Sequence, residues 1–126
     1  MNTQAVKKQI KSYRDLIVWQ KSMTLVTDMY TLTQAYPQHE IYGITSQLRR
    51  ASISIPSNIA EGFYRSSRKD YRNFLYNAFG SGGELETQLT IAESLKYGDP
   101  QIHKRVTKLL SEVMAMLNTL ISKLKS

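Results

Sequence analysis

The residues best suited to chemistry in this sequence are basic. Arg49 and Arg50 stand together, and Arg65, Arg68, Lys69 and Arg72 follow in a short interval that also holds Tyr64 and Tyr71. Five of these six bases are arginine. A guanidinium presents a planar fork of donors that matches two phosphate oxygens, and a tyrosine ring can stack on an unpaired base. The backbone amides opening a helix at Ser67 would add an anion site. The pattern predicts a nucleic-acid-binding surface made of Arg49, Arg50, Arg65, Arg68, Lys69 and Arg72. The structural alternative is that the tyrosines pack against neighbouring helices while Arg49 or Arg50 pairs with Glu61 or Glu84.

The distribution of charge supports an acidic partner. The formal net charge is +7. Residues 1–14 carry Lys7, Lys8, Lys11 and Arg14 with no acid, and residues 45–72 carry a net +4. Residues 15–44 are net acidic and residues 73–126 nearly balanced. Positive charge clustered in this way suits a polyanion, although a merely lysine- and arginine-rich soluble protein is the plainer reading.

Other chemistries find little footing. The two histidines, His39 and His103, are far apart, the first in a loop and the second on the surface of a helix's first turn. No Glu-x-x-His pair offers the carboxylate-bridged metal site of some bundles. Glu84 and Glu86 are two apart and face different ways on a helix. Gly80–Gly83 neither follows a strand nor precedes a lysine, so it is no phosphate loop. The sequence therefore predicts no catalytic residues, no metal and no cofactor. Cysteine is absent, which excludes disulfides and thiolate zinc sites. No apolar run reaches the roughly 20 residues that span a bilayer, and no apolar segment follows the first lysines as a secretory leader would require. A cytoplasmic protein without membrane contact is the expectation.

The elements that must position the basic residues are helices. At 126 residues the chain suits one domain, residues 12–126, preceded by a basic, mobile tail at residues 1–11. Leu16, Trp19, Met23, Val26 and Tyr30 recur at the three/four spacing of a helical stripe, with Leu25, Met29, Leu32 and Tyr36 as a second set beside it. Ser12 or Asp15 caps this helix and Tyr36-Pro37 stops it. A second helix begins after Gly43 with Ile44, Leu48, Ala51, Ile55, Ile59 and Phe63. Pro56 interrupts it, which predicts a kink or two shorter helices, with Ser52, Ser54 and Ser57 bonding to the loosened backbone.

A third helix starts at Ser67, with Leu75, Ala78, Gly82, Leu85, Leu89 and Ala92 inward. Its phase passes unbroken through Gly80–Gly83, so the segment reads as helix whose small residues admit a close neighbour, a break there being the alternative. Asp99 caps a fourth helix with Pro100 in its first position, and Ile102, Val106, Leu109, Val113, Leu117, Leu120 and Leu124 form its stripe. Four helices joined by short connections predict an all-α, antiparallel up-down four-helix bundle. The additional apolar residues Ile17, Val18, Met29, Met114 and Ile121 point to subunit contacts or to a broad core-facing stripe.

Several stretches resemble one family. They are Tyr13-Arg-Asp-Leu-Ile-Val-Trp-Gln-Lys-Ser22, Tyr42-Gly-Ile-Thr-Ser-Gln-Leu-Arg-Arg-Ala51 and Ser54-Ile-Pro-Ser-Asn-Ile-Ala-Glu-Gly62. Asp70-Tyr-Arg-Asn-Phe-Leu-Tyr76 and Gly80-Ser-Gly-Gly-Glu-Leu-Glu-Thr-Gln-Leu89 continue the likeness. Together they are similar to the bacterial four-helix-bundle family that includes proteins encoded within intervening sequences of 23S ribosomal RNA genes. The resemblance spans roughly residues 12 to 124 and implies a compact bundle, assembly into a ring-like homopentamer and a connection with RNA. It implies no catalytic residues, and it favours a continuous helix through Gly80–Gly83. A pentameric accessory protein of diversity-generating retroelements is similar in architecture without these motifs, an analogy of fold alone. The leading functional expectation is a non-enzymatic oligomer that binds structured RNA. The alternative is a scaffold for a protein partner, or an accessory subunit for a nucleic-acid enzyme such as a reverse transcriptase.

Overall fold

A computed structural model describes residues 10–125. Most of the expected basic tail, Lys7 and Lys8 included, lies outside these residues. The four helices are α1 (Ile17–Gln34), α2 (Ile44–Phe63), α3 (Arg68–Ser94) and α4 (Pro100–Lys125). Short 3-10 turns at Tyr13–Asp15 and Gln38–Glu40 precede α1 and α2. Among the described residues there is no strand. No helix of the described residues is long and apolar enough to cross a membrane.

Each helix packs on two neighbours. α1 touches α2 and α4, α3 touches the same two, and α1 and α3 lie diagonally across the bundle. Contacts at the ends show the up-down course. Tyr13 meets Tyr64, and Arg68 reaches the carbonyl of Lys123, at one end. Tyr36 meets Tyr97 at the other. The core between them is aliphatic, with Leu25, Met29 and Leu32 facing Leu48, Ile55, Ile59, Leu75, Leu85, Val106, Leu110 and Leu117.

Local chemistry sets the helix limits. Ser12 and Asp15 form a reciprocal capping box around the first 3-10 turn. The Ser67 hydroxyl accepts the Asp70 amide at 3.0 Å and opens α3. The carboxylate of Asp99 accepts the Gln101 amide at 2.8 Å, with Pro100 as the first residue of α4. Between these helices Lys96 and Gly98 take left-handed backbone, at φ 61° and 77°, to reverse the chain.

The structure decides between alternatives at three places. Of the two readings at Pro56, division into two shorter helices is excluded, because α2 runs through it as one helix. Ser52 donates to the Arg49 carbonyl, and Asn58 donates to the carbonyl and hydroxyl of Ser54, so side chains bond the backbone beside the proline. On α1 the inward set is Val18, Leu25, Met29 and Leu32, whereas Met23 and Tyr30 are exposed and Trp19 and Val26 half-buried. Along α1 the stripe of Val, Leu and Met takes the core, while Trp19 and Tyr30, whose rings carry N–H and O–H groups, stay at least partly in water; Tyr36, just beyond α1, is buried with its ring. Finally, Val18, Met29 and Ile121 are core residues. Of the five residues offered as surplus apolar surface, Ile17 alone is exposed, and Met114 is half-buried.

Gly80–Gly83 is continuous helix, but only Gly82 explains why it is small. A Cβ there would collide with the Met114 sulfur of α4, while Gly80 and Gly83 have open space beside them.

Candidate nucleic-acid interface

Up-down topology gathers four chain segments at one end of the bundle: the Tyr13–Asp15 turn, the α2–α3 junction, the first turns of α3 and the last turn of α4. Arg65, Arg68, Lys69 and Arg72 lie there. They are joined by Lys11 and Arg14 from the basic N-terminal stretch, and by Lys123 and Lys125, which the sequence reading did not single out. The local acids are Asp15, Glu61 and Asp70, and Asp15 already accepts the amides of Lys11 and Ser12. The result is an end face with a marked excess of positive charge.

Each base is held differently. Arg68 donates to the Lys123 carbonyl at 2.8 Å and Arg72 to the Leu124 carbonyl at 3.0 Å. The final carbonyls of a helix have no partners within it and carry the negative end of its dipole. The two guanidiniums answer both deficits and fasten the end of α4 to the start of α3. Arg65 lies 4.6 Å over the Phe74 ring and 3.4 Å from the Glu61 carboxylate, an exposed pair of little energetic weight. Lys69 is exposed and pairs with no described acid. The Lys125 ammonium sits 6.0 Å from the centre of the Tyr76 ring.

Arg49 and Arg50 are elsewhere. They lie in the first two turns of α2, about 20 Å along the helix from its C-terminal end. Arg49 donates to the Thr33 hydroxyl at 2.9 Å and its guanidinium covers the Tyr30 ring at 4.4 Å, so it joins α2 to α1. Arg50 is exposed. The six predicted bases therefore divide into a terminal group of four and a separate pair. At the opening of α3, Ser67 takes one first-turn amide and Asp70 places a carboxylate nearby, which weakens that helix start as an anion site.

Aromatic side chains border the basic end. Tyr64 is 74% exposed, whereas Tyr71 is half-buried, with burial raising its hydroxyl pKa. Tyr13 meets Tyr64 and Trp19 edge-on at 5.8 and 5.2 Å. The Arg14 guanidinium lies 5.5 Å from both the Tyr13 and Trp19 rings.

The opposite end has another character. There the Tyr97 hydroxyl donates to Glu40 at 3.0 Å, which with burial and the carboxylate's charge raises its pKa. Tyr36 is buried, its hydroxyl has no partner among the described residues, and desolvation pushes its pKa up to about 12.

Between α3 and α4 runs a groove of about 870 Å³ lined by Glu86, Glu93, His103, Lys104 and Lys108. The sequence places His103 on the surface; the structure buries it, because it shares the inward stripe of Val106 and Leu110. Its Nε2 is 3.3 Å from Glu93. The nearby hydroxyls of Thr90 and Thr107 donate to the carbonyls of Glu86 and His103, so neither is held against the imidazole as a nucleophile would be. No group of three or more metal-ligating side chains occurs among the described residues.

The remaining long face belongs to α1. Its outermost residues carry no charge, and the Lys21 side chain, 40% exposed, lies at one edge. Lys21 and Asp28 are turned to α4, where they meet Glu112 at 2.8 Å and Arg105 at 3.4 Å. The Lys21 hydrogen bond, and then its charge, hold the Glu112 carboxyl below its usual range. Thr24, Thr27 and Thr31 all donate to carbonyls of their own helix. Beside them Trp19, Met23 and Val26 form an apolar groove of about 280 Å³ with Ile53, Pro56 and Ala60 of α2.

Comparison with solved structures finds the same fold in a Bacteroides thetaiotaomicron protein described as having unknown function and coming from the S23 ribosomal protein family. The two share 22% identity over 84% of this chain and 96% of that one, with a TM-score of 0.77. No curated protein matches the chain. Residues 14–119, which hold all four helices up to the last turns of α4, match the family described as 23S rRNA-intervening sequence protein, and the chain belongs to that family.

Proposed function

We propose that the protein is a non-enzymatic, self-assembling protein that binds structured RNA related to ribosomal RNA through the basic end of its bundle. The observation that carries this reading is the convergence of Arg65, Arg68, Lys69 and Arg72 with Arg14, Lys123 and Lys125 on one face. The family's name supplies the ribosomal RNA connection. Self-assembly rests on the outer face of α1, where Met23 and the adjoining Ile53 of α2 are each about two-fifths exposed. A helix whose charged side chains are paired along one edge, leaving an uncharged outer face, is suited to burial on more than one side. A ring of five copies, the number the family resemblance implies, would repeat the basic end and turn weak phosphate contacts into avidity.

Salt tests the reading. Phosphate neutralisation releases counterions, so affinity for a ribosomal RNA fragment should fall linearly in log–log form with salt. The variant Arg65→Glu/Lys69→Glu/Lys125→Glu spares the arginines that fasten α4. It should keep its helix content and lose binding. Affinity indifferent to salt, or unchanged in this variant, would overturn the proposal.

A further inference from the structure

Tyr64 stands out at the basic end. It follows the last residue of α2, and its amide donates to the Glu61 carbonyl, so its backbone is fixed. Its ring meets Tyr13 and Phe63 only in steep, edge-type contacts, at interplanar angles of 73° and 88°. With 74% of the residue exposed, no parallel ring covers it among the described residues. A large aromatic surface left in water beside cations is costly to the isolated subunit, and it is the arrangement that receives a nucleobase. Arg14 stands over the adjoining Tyr13, and Arg65 is the next residue in the chain, its exposed pairing with Glu61 readily exchanged for a phosphate.

We propose that Tyr64 is a stacking platform for an unpaired base, with Arg14 and Arg65 taking the flanking phosphates, so that the protein prefers looped or single-stranded segments to continuous duplex. The inference rests on the RNA-binding reading and adds the class of RNA. A base inside a duplex has both faces covered by its neighbours and cannot stack on the ring; an extruded or single-stranded base can.

Tyr42 supplies an internal control. It is 95% exposed but precedes α2 at the opposite end, beside Glu40. The test compares binding of a single-stranded adenylate oligonucleotide and a blunt RNA duplex of equal phosphate number at one fixed salt concentration. Wild-type protein, Tyr64→Ala, Tyr64→Phe and Tyr42→Ala are measured, each first shown to have unchanged helix content. Tyr64→Ala should weaken single-strand binding by about 5- to 100-fold and leave duplex binding within about twofold. Tyr64→Phe, which keeps the ring, and Tyr42→Ala should bind as wild type. Equal losses on both nucleic acids, no loss, or a wild-type preference for duplex would overturn the inference while leaving RNA binding intact. Failure of the wild-type protein to bind either at low salt would overturn the RNA reading and this inference with it.

Discussion

At the scale of single residues, polar groups without ideal partners make the sharpest predictions. The Tyr36 hydroxyl is buried and unpaired among the described residues. Tyr36→Phe should therefore stabilise the protein by about 1 kcal/mol in denaturant unfolding, since a desolvated donor is removed without loss of a bond. Its pKa is raised in the folded state, so wild-type stability is intact below the unfolded tyrosine's pKa and is lost as pH climbs toward about 12. Tyr36→Phe should lack this tyrosine-linked component of the alkaline loss. Glu112 has the opposite sign. Its folded pKa is lowered by Lys21, so its contribution is present above the ordinary carboxylate range and fades as pH falls through the lower folded value. Glu112→Gln should flatten the acid limb of a stability–pH curve, and a curve unchanged in shape would show that the exposed pair contributes nothing.

At the scale of elements, α3 separates what the sequence discloses from what it conceals. Its start at Ser67 and its inward residues from Leu75 to Ala92 were legible, because capping and the three/four period are local properties. Which of two adjacent stripes on α1 turned inward was not legible. That depends on partners in α2 and α4, such as Arg49 for Thr33 and Glu112 for Lys21, which only the packed structure brings near. The glycines show the same division. Gly82→Ala would drive a methyl into Met114 and should cost roughly 1–3 kcal/mol, less in a chain that also carries Met114→Ala. Gly80→Ala meets nothing and should stabilise α3 by about 1 kcal/mol, as alanine does in an open helix interior. Thermal unfolding of Gly80→Ala, Gly82→Ala, Met114→Ala and the Gly82→Ala/Met114→Ala double variant checks the order. The Arg68 and Arg72 bonds belong to this scale too: with both arginines replaced by alanine, amides of the last turns of α4 should exchange faster with deuterium while those near Val106 keep their protection.

At the scale of the whole molecule, two faces divide the proposed work, a charged end for RNA and an uncharged side for other copies. Charged substitutions on that side, Met23→Asp with Ile53→Asp, should lower the mass in analytical ultracentrifugation without loss of helix, and RNA affinity should fall with the lost avidity. A mass unchanged from wild type would move self-assembly to another face. The meeting of the bases at the charged end was hidden from a linear reading because Arg14, Lys123 and Lys125 lie some fifty residues or more from Arg65 in sequence. They become neighbours only when four helices run up and down. The same course has a topological consequence. The first and last described turns sit at one end, so a short peptide bridge could join them and the chain could be opened instead in the turn at residues 95–99. The permuted polypeptide would meet its helices in the order α4, α1, α2, α3 and bury the same core. Its new ends would emerge beside Tyr97, where an affinity tag or dye leaves the basic end unobstructed.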